Sequence, residues 1–173
     1  LAVGKQSFQK GYDRLLEIWK IVYRKHPDWK LEVYGNPKQS LGLEKKAEEL
    51  GISNTVSFYL PVRNIQEKYK ASSIYVMSSR FEGFGMVLIE AMSFGVPCIS
   101  FNCPHGPADI IKNEEDGFLI KNDNIEDFAN KIIQLIENEN QRKEMGLKAK
   151  EKIKQFYPET IIKQWDVLFK SLI

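Results

Sequence analysis

Four charged side chains carry the chemistry that can be read from this sequence: Glu82 and Glu90, and the lysines Lys5 and Lys10. Glu82 and Glu90 bracket the run Arg80-Phe81-Glu82-Gly83-Phe84-Gly85-Met86-Val87-Leu88-Ile89-Glu90. Gly83 and Gly85 let backbone approach a ligand closely. Met86 and Val87 fall in the first turn of a helix, where N–H groups have no intrahelical partner and suit a diphosphate. Glu90 lies one turn further and is the only charge in an otherwise apolar helix, so burial there would demand a partner. Two hydroxyls of a ribose would serve, and so would a neighbouring lysine or backbone group. The second cluster, Gly4-Lys5-Gln6-Ser7-Phe8-Gln9-Lys10-Gly11, supplies two ammonium groups with three donors each. In isolation it would read as an exposed polar loop. Gly83-Phe84-Gly85-Met86-Val87-Leu88 imitates the start of a dinucleotide fingerprint. Leu88 replaces its third glycine and no opening strand precedes it, so that reading is rejected.

Apolar runs alternating with helical periods must position these groups. The pattern predicts strands at Leu1–Gly4, Leu31–Gly35, Val56–Leu60, Ile74–Ser78, Pro97–Phe101 and Gly117–Ile120. It predicts helices at Tyr12–Lys25, Leu43–Leu50, Ile65–Ala71, Met86–Phe94, Ile125–Glu137, Gln141–Gln155 and Pro158–Leu172. Mostly apolar strands alternating with helices argue for an α/β fold. The expectation is a Rossmann-like, doubly wound parallel sheet of about six strands with helices on both faces. In such a sheet the loops after strands one and four flank the crevice at the switch point, where the two charged clusters lie. With no internal repeat or linker, residues 1–173 read as one domain.

The chain has 173 residues, 43% hydrophobic and 28% charged, which excludes disorder. Its 25 basic and 23 acidic side chains leave +2, too little for a partner such as nucleic acid. No apolar run reaches the ~18 residues of a membrane span, and no secretory signal opens the sequence. Cys98 and Cys103 cannot form a disulfide framework or a zinc site alone and read as thiols of a reducing compartment. The opening residue is Leu1, already within a strand, so we expect the protein to continue N-terminally.

The spacing Glu82-x7-Glu90, with Ser79-Arg80-Phe81-Glu82-Gly83-Phe84-Gly85 and Glu90-Ala91-Met92-Ser93-Phe94-Gly95-Val96-Pro97, resembles the family-4 retaining glycosyltransferases of the GT-B fold. Gly4-Lys5 and Lys10-Gly11 resemble the Gly-Arg and Lys-Gly pair of that family. The likeness continues through Val33-Tyr34-Gly35, Asp116-Gly117-Phe118-Leu119-Ile120 and the closing helices. It implies the C-terminal, donor-binding half of a GT-B enzyme, with the N-terminal acceptor domain absent. By the same resemblance Glu82 is the catalytic-centre glutamate beside the donor sugar, with the Phe84 and Gly85 backbone also on that sugar. Lys5, Lys10, Met86 and Val87 would hold the diphosphate, Glu90 the ribose, and Val62 and Arg63 the base. Lysines and a helix terminus would stabilise the leaving group, so no metal and no cofactor is expected beyond the nucleotide-sugar substrate.

Departures from the family pattern are also visible. Lys5 stands where most members have Arg, and Asp109 where they have Glu. The stretch Phe101-Asn102-Cys103-Pro104-His105-Gly106-Pro107 resembles a branch that builds bacterial surface polysaccharides from UDP-hexoses or UDP-N-acetylhexosamines. His105 reads as a surface loop residue that could also face the cleft. The expected partners are therefore a UDP-sugar and a glycan or lipid-linked acceptor. The expected place is the cytoplasm, at the inner face of the membrane. The basic run from Arg142 to Lys154 reads as a solvated helix face. Rival readings are a sugar-nucleotide epimerase and a non-enzymatic nucleotide-binding module. The last helix, with Trp165 and Phe169, is expected to present an apolar patch toward the absent domain.

Overall fold

A computed structural model describes residues 1–172. Six parallel strands form: β1 Ala2–Val3, β2 Leu31–Tyr34, β3 Val56–Tyr59, β4 Tyr75–Met77, β5 Cys98–Asn102 and β6 Gly117–Lys121. Their ladders make two three-stranded sheets, β1-β2-β3 and β4-β5-β6, rather than one unbroken sheet. The physical reason is the shortness of β1, two residues that cannot sustain a ladder on both edges. Leu1 joins the halves instead. Its amine donates to the Ile74 carbonyl at 2.9 Å, and the Val76 amide donates to the Leu1 carbonyl at 2.9 Å. Across that seam the strands follow the order 3-2-1-4-5-6, the doubly wound arrangement with its switch point between β1 and β4.

Side chains alternate between two cores because a strand's period is two. Val33, Val76, Ile99 and Phe101 face one core, shared with Leu15, Leu16, Ile18, Trp19 and Val22 of helix α1 (Tyr12–Lys25) and with Phe128, Ile132 and Ile133 of α6 (Ile125–Glu137). Tyr34, Tyr75, Met77 and Cys98 face the other. There they meet Tyr69 of α3 (Ile65–Ala71), Leu88 and Met92 of α4 (Met86–Ser93), and Ala149 of α7 (Glu139–Lys152). Both faces are thus covered. A third element on the first face is α2 (Leu43–Glu49), which buries Leu43 and Ala47.

Three differences from expectation have local causes. The helix α7 begins at Glu139 rather than Gln141, because the Asn138 side chain caps it by accepting from the Gln141 amide at 2.9 Å. Its last turn tightens into a 3-10 segment at Ile153–Phe156. A four-residue helix, α5 (Pro107–Ile110), is too short to show a period. Four lysines of the basic run are paired: Lys143 with Glu139, Lys148 with Glu144, Lys152 with Asp116 and, in the 3-10 segment, Lys154 with Glu151. Arg142 donates to the Leu135 carbonyl at the end of α6. The final helix, α8 (Pro158–Ser171), buries no residue at all. Its Ile162, Trp165, Leu168 and Phe169 lie exposed, as the sequence pattern anticipates. Among the described residues no helix is long and apolar enough to cross a membrane.

Candidate functional site

The loop after β1 and the loop after β4 meet at the switch point. Gly11 starts α1 in the left-handed region, φ 63°, and a Cβ there would sit 2.2 Å from the Ser78 carbonyl oxygen. Only glycine permits both the turn and that contact. The Ser78 hydroxyl donates to the Lys10 carbonyl at 2.9 Å, and the Arg80 amide donates to the Gln9 carbonyl at 2.7 Å. Arg14, buried in α1, donates to the Ser78 carbonyl at 2.6 Å and lies 4.4 Å from the Phe101 ring centroid. Gly35 serves the neighbouring loop: a Cβ on it would fall 1.9 Å from the Gly4 carbonyl oxygen.

These ties bring Lys10 and Glu82 together, 2.7 Å apart, with side chains only 18% and 7% exposed. Ser79 donates its hydroxyl to the same Glu82 oxygen at 2.5 Å. Tyr12, buried beneath them, donates to the Gly4 carbonyl at 3.0 Å. Burial, and then the Glu82 carboxylate, push its phenol well above the ordinary range. The Cys103 thiol is raised for the same two reasons, so it stays protonated beside Glu82. Glu82 itself is braced through its amide, which donates to the Pro104 carbonyl at 3.3 Å in the loop after β5.

Gly85, φ 93°, opens α4 in the left-handed region, with Met86 and Val87 as the first helical residues. Their amides find no protein partner among the described residues, so two donors are left open at the positive end of the helix dipole. Phe84 packs edge-on against Phe156, centroids 5.8 Å apart. A Cβ at Gly106 would meet the Phe84 carbonyl oxygen at 1.9 Å, so the loop after β5 supports the Phe84 backbone from behind.

Glu90 corrects one premise. It is exposed rather than buried, and its partner is neither a lysine nor backbone. The buried Tyr69 hydroxyl donates to Glu90 Oε2 at 2.8 Å. Burial and this bond to a carboxylate push the Tyr69 phenol far upward. The remaining Glu90 oxygen is open to a ligand. Lys5 is exposed and joins Gly4, Tyr34, Gly35, Pro61 and Val62 around a cavity of about 230 Å3. Val62 lines that cavity, and Arg63, the next residue, is exposed beside it without lining it. Asp109 and His105, both exposed, line a separate open pocket with Asn102 and Asn122.

Sequence reasoning passed over Tyr12, Ser79, Arg14 and the Arg80–Asp13 pair. The last was findable, since both residues sit in or beside the two loops already assigned to the crevice. No group of three or more His, Cys, Asp or Glu side chains among the described residues is arranged to hold a metal ion.

A cleft at the switch point, an acid–base pair at its mouth and free amides at a helix start together describe a site for a phosphorylated ligand. The profile of the family described as "Glycosyl transferases group 1" matches residues 1–152. The chain belongs to that family. As a group 1 glycosyl transferase it is 37% identical over 166 residues to the amylovoran biosynthesis glycosyltransferase AmsD of Erwinia amylovora, covering 96% of this chain and 46% of that protein. An uncharacterized glycosyltransferase of Haemophilus influenzae is 34% identical over 165 residues, covering 95% and 47%. The crystal structure of a TarM mutant from Staphylococcus aureus, in complex with fondaparinux, alpha-GlcNAc-glycerol and UDP, superposes with a TM-score of 0.90 at 31% identity. It covers 97% of this chain and 34% of that one. The chain thus spans about half the length of the curated relatives named here. The fold is the C-terminal half of a GT-B enzyme.

Proposed function

We propose that this chain is the donor-binding domain of a retaining glycosyltransferase. The full-length protein would move a hexose or N-acetylhexosamine from a UDP-sugar to a polysaccharide or lipid-linked acceptor. The observation that carries the reading is the Lys10–Glu82 pair, which ties the loop after β1 to the loop after β4, with the open Met86 and Val87 amides starting the helix that follows the second loop. Lys10 has three N–H donors and spends one on Glu82, leaving two for a diphosphate. Lys5 adds a second positive charge at the same edge, and the start of α4 adds its dipole. As the glycosidic bond breaks, negative charge grows on the diphosphate, and these groups oppose it without calling for a metal. Glu82, beside them, would orient the sugar. Glu90 would accept from the ribose through its open oxygen, and the Lys5–Val62 cavity would take the base.

The UDP held by TarM in its crystal structure supports a uridine nucleotide here, and the amylovoran biosynthesis in the AmsD name supports a biosynthetic transferase. The place of action would be the cytoplasmic face of the cell membrane, reached through the acceptor domain. Most lysines of α7 are already spent on ion pairs, which reduces what its face offers to an anionic surface. Calorimetric titration of UDP, GDP and ADP into the chain tests the reading: UDP is expected to bind, and binding by none of the three would end it. In the full-length enzyme, Glu82→Gln should keep UDP affinity and lose about a hundredfold in kcat, since it acts where charge develops.

A further inference from the structure

Arg80 occupies the junction of the two cleft loops and has no part in the site as assigned above. Its guanidinium makes a two-pronged ion pair with Asp13, NH1 to Oδ1 at 2.8 Å and NH2 to Oδ2 at 2.6 Å. NH1 also donates to the Phe8 carbonyl at 2.8 Å, and the guanidinium carbon stands 4.1 Å from the Phe8 ring centroid. Gln9 returns a bond from its side-chain amide to the Phe81 carbonyl at 3.1 Å. One side chain therefore grips the chain on both sides of Lys10, at Phe8 and at Asp13. Its own backbone is two residues from Glu82. Arg80 in turn holds the Asp13 carboxyl below its ordinary range, so the pair is fully charged at neutral pH.

As a source of stability this pair counts for little, because Asp13 is 40% exposed and water screens an ion pair there. Its consequence is geometric. A guanidinium fork fixes both distance and orientation, which a flexible ammonium does not. We infer that Arg80, locked by Asp13, is a positioning residue that holds Lys10 and Glu82 in register. The charge that meets the diphosphate and the carboxylate that meets the sugar are thereby presented as one preassembled unit. The inference rests on the donor-site reading above. Lys10 is long enough to reach a phosphate from a loosened loop, so ground-state UDP binding depends little on Arg80. The alignment needed for transfer depends on it strongly, since misplacement by about 1 Å costs on the order of a hundredfold.

The test compares Arg80→Ala, Arg80→Lys and Asp13→Asn in the full-length polypeptide. It reads kcat and KM for a UDP-sugar, UDP affinity by calorimetry, and melting temperature. The expected result for Arg80→Ala is a fall in kcat of about ten- to a hundredfold with UDP affinity within about threefold of wild type. Arg80→Lys should recover little of the loss because it keeps the charge and not the fork. Asp13→Asn should move kcat in the same direction by less. Should Arg80→Ala fail to fold, Arg80→Lys carries the comparison. A lowered melting temperature with kcat within twofold of wild type would make Arg80 a structural residue and overturn the inference. UDP affinity falling in step with kcat would overturn it too, by placing Arg80 in the phosphate grip alone. Failure of the wild type to bind UDP would remove the donor-site reading and the inference with it. UDP binding intact in wild type and unaltered kcat in the variants would remove the inference alone.

Discussion

At the switch point, three side chains that are costly to bury find partners elsewhere in the chain: Glu82 in Lys10 and Ser79, Arg80 in Asp13, Tyr69 in Glu90. On α8 the opposite holds. Ile162, Leu168 and Leu172 face solvent, and Trp165 and Phe169 stack only on each other, centroids 5.5 Å apart. In the first region the named charges are paired within the chain, although Phe8, Phe81, Phe84 and Met86 stay exposed around them. The second carries a run of exposed apolar side chains. The two regions differ in what is settled inside the chain: ionic partners in one, and no burial at all in the other.

The comparison breaks most visibly if the cleft is not self-contained. Lys10→Ala removes one partner of a mostly buried ion pair and strands Glu82. The expected loss is about 3–5 kcal/mol in unfolding by urea. Adding Glu82→Gln to it should restore most of that stability, because the stranded charge is gone. If Lys10→Ala unfolds like wild type, the pair does not hold the cleft together. A smaller effect sharpens the ligand side. Glu90→Gln still accepts from Tyr69, so stability should stay within about 0.5 kcal/mol, while UDP affinity by calorimetry falls several-fold as a charged hydrogen bond of ~1.5 kcal/mol weakens. Loss of melting temperature without loss of affinity would return Glu90 to a structural role. The smallest effect belongs to α8. Trp165→Ser should change the stability of this chain by less than about 0.5 kcal/mol in the same urea assay, since Trp165 is 53% exposed and its aromatic contact is with exposed Phe169 of the same helix. A cost above 1 kcal/mol would mean that α8 is packed by its own domain.

Long periodic segments were legible from sequence alone. The helices α1, α3 and α6 begin and end where their apolar period does. The α5 helix has four residues and no period to read, and the start of α7 turned on one Asn138 cap. The motif residues were legible as a set, but their pairing was not. Lys10 and Glu82 stand 72 positions apart, and nothing local in either loop says that they touch. Glu90 misled because an apolar helix reads as buried throughout, whereas α4 lays one flank open and exposes Met86 as well. The seam at Leu1 was equally invisible, since a two-residue strand has too few side chains to display its neighbours.

The ties across the cleft join residues 64 to 72 positions apart. Each half of the sheet, by contrast, closes through its own consecutive β-α-β crossovers. Closing a long loop spends chain entropy before any contact returns it, and no single one of these bonds returns enough. They must therefore form as a set, after the two halves have each found their strands. The consequence is an order of assembly: the cleft closes late in folding and is among the first parts to open in the native state. A nucleotide sugar that bridges Lys10 and α4 would then act as a clasp on the slowest joint of the domain, coupling donor capture to the lifetime of the closed form.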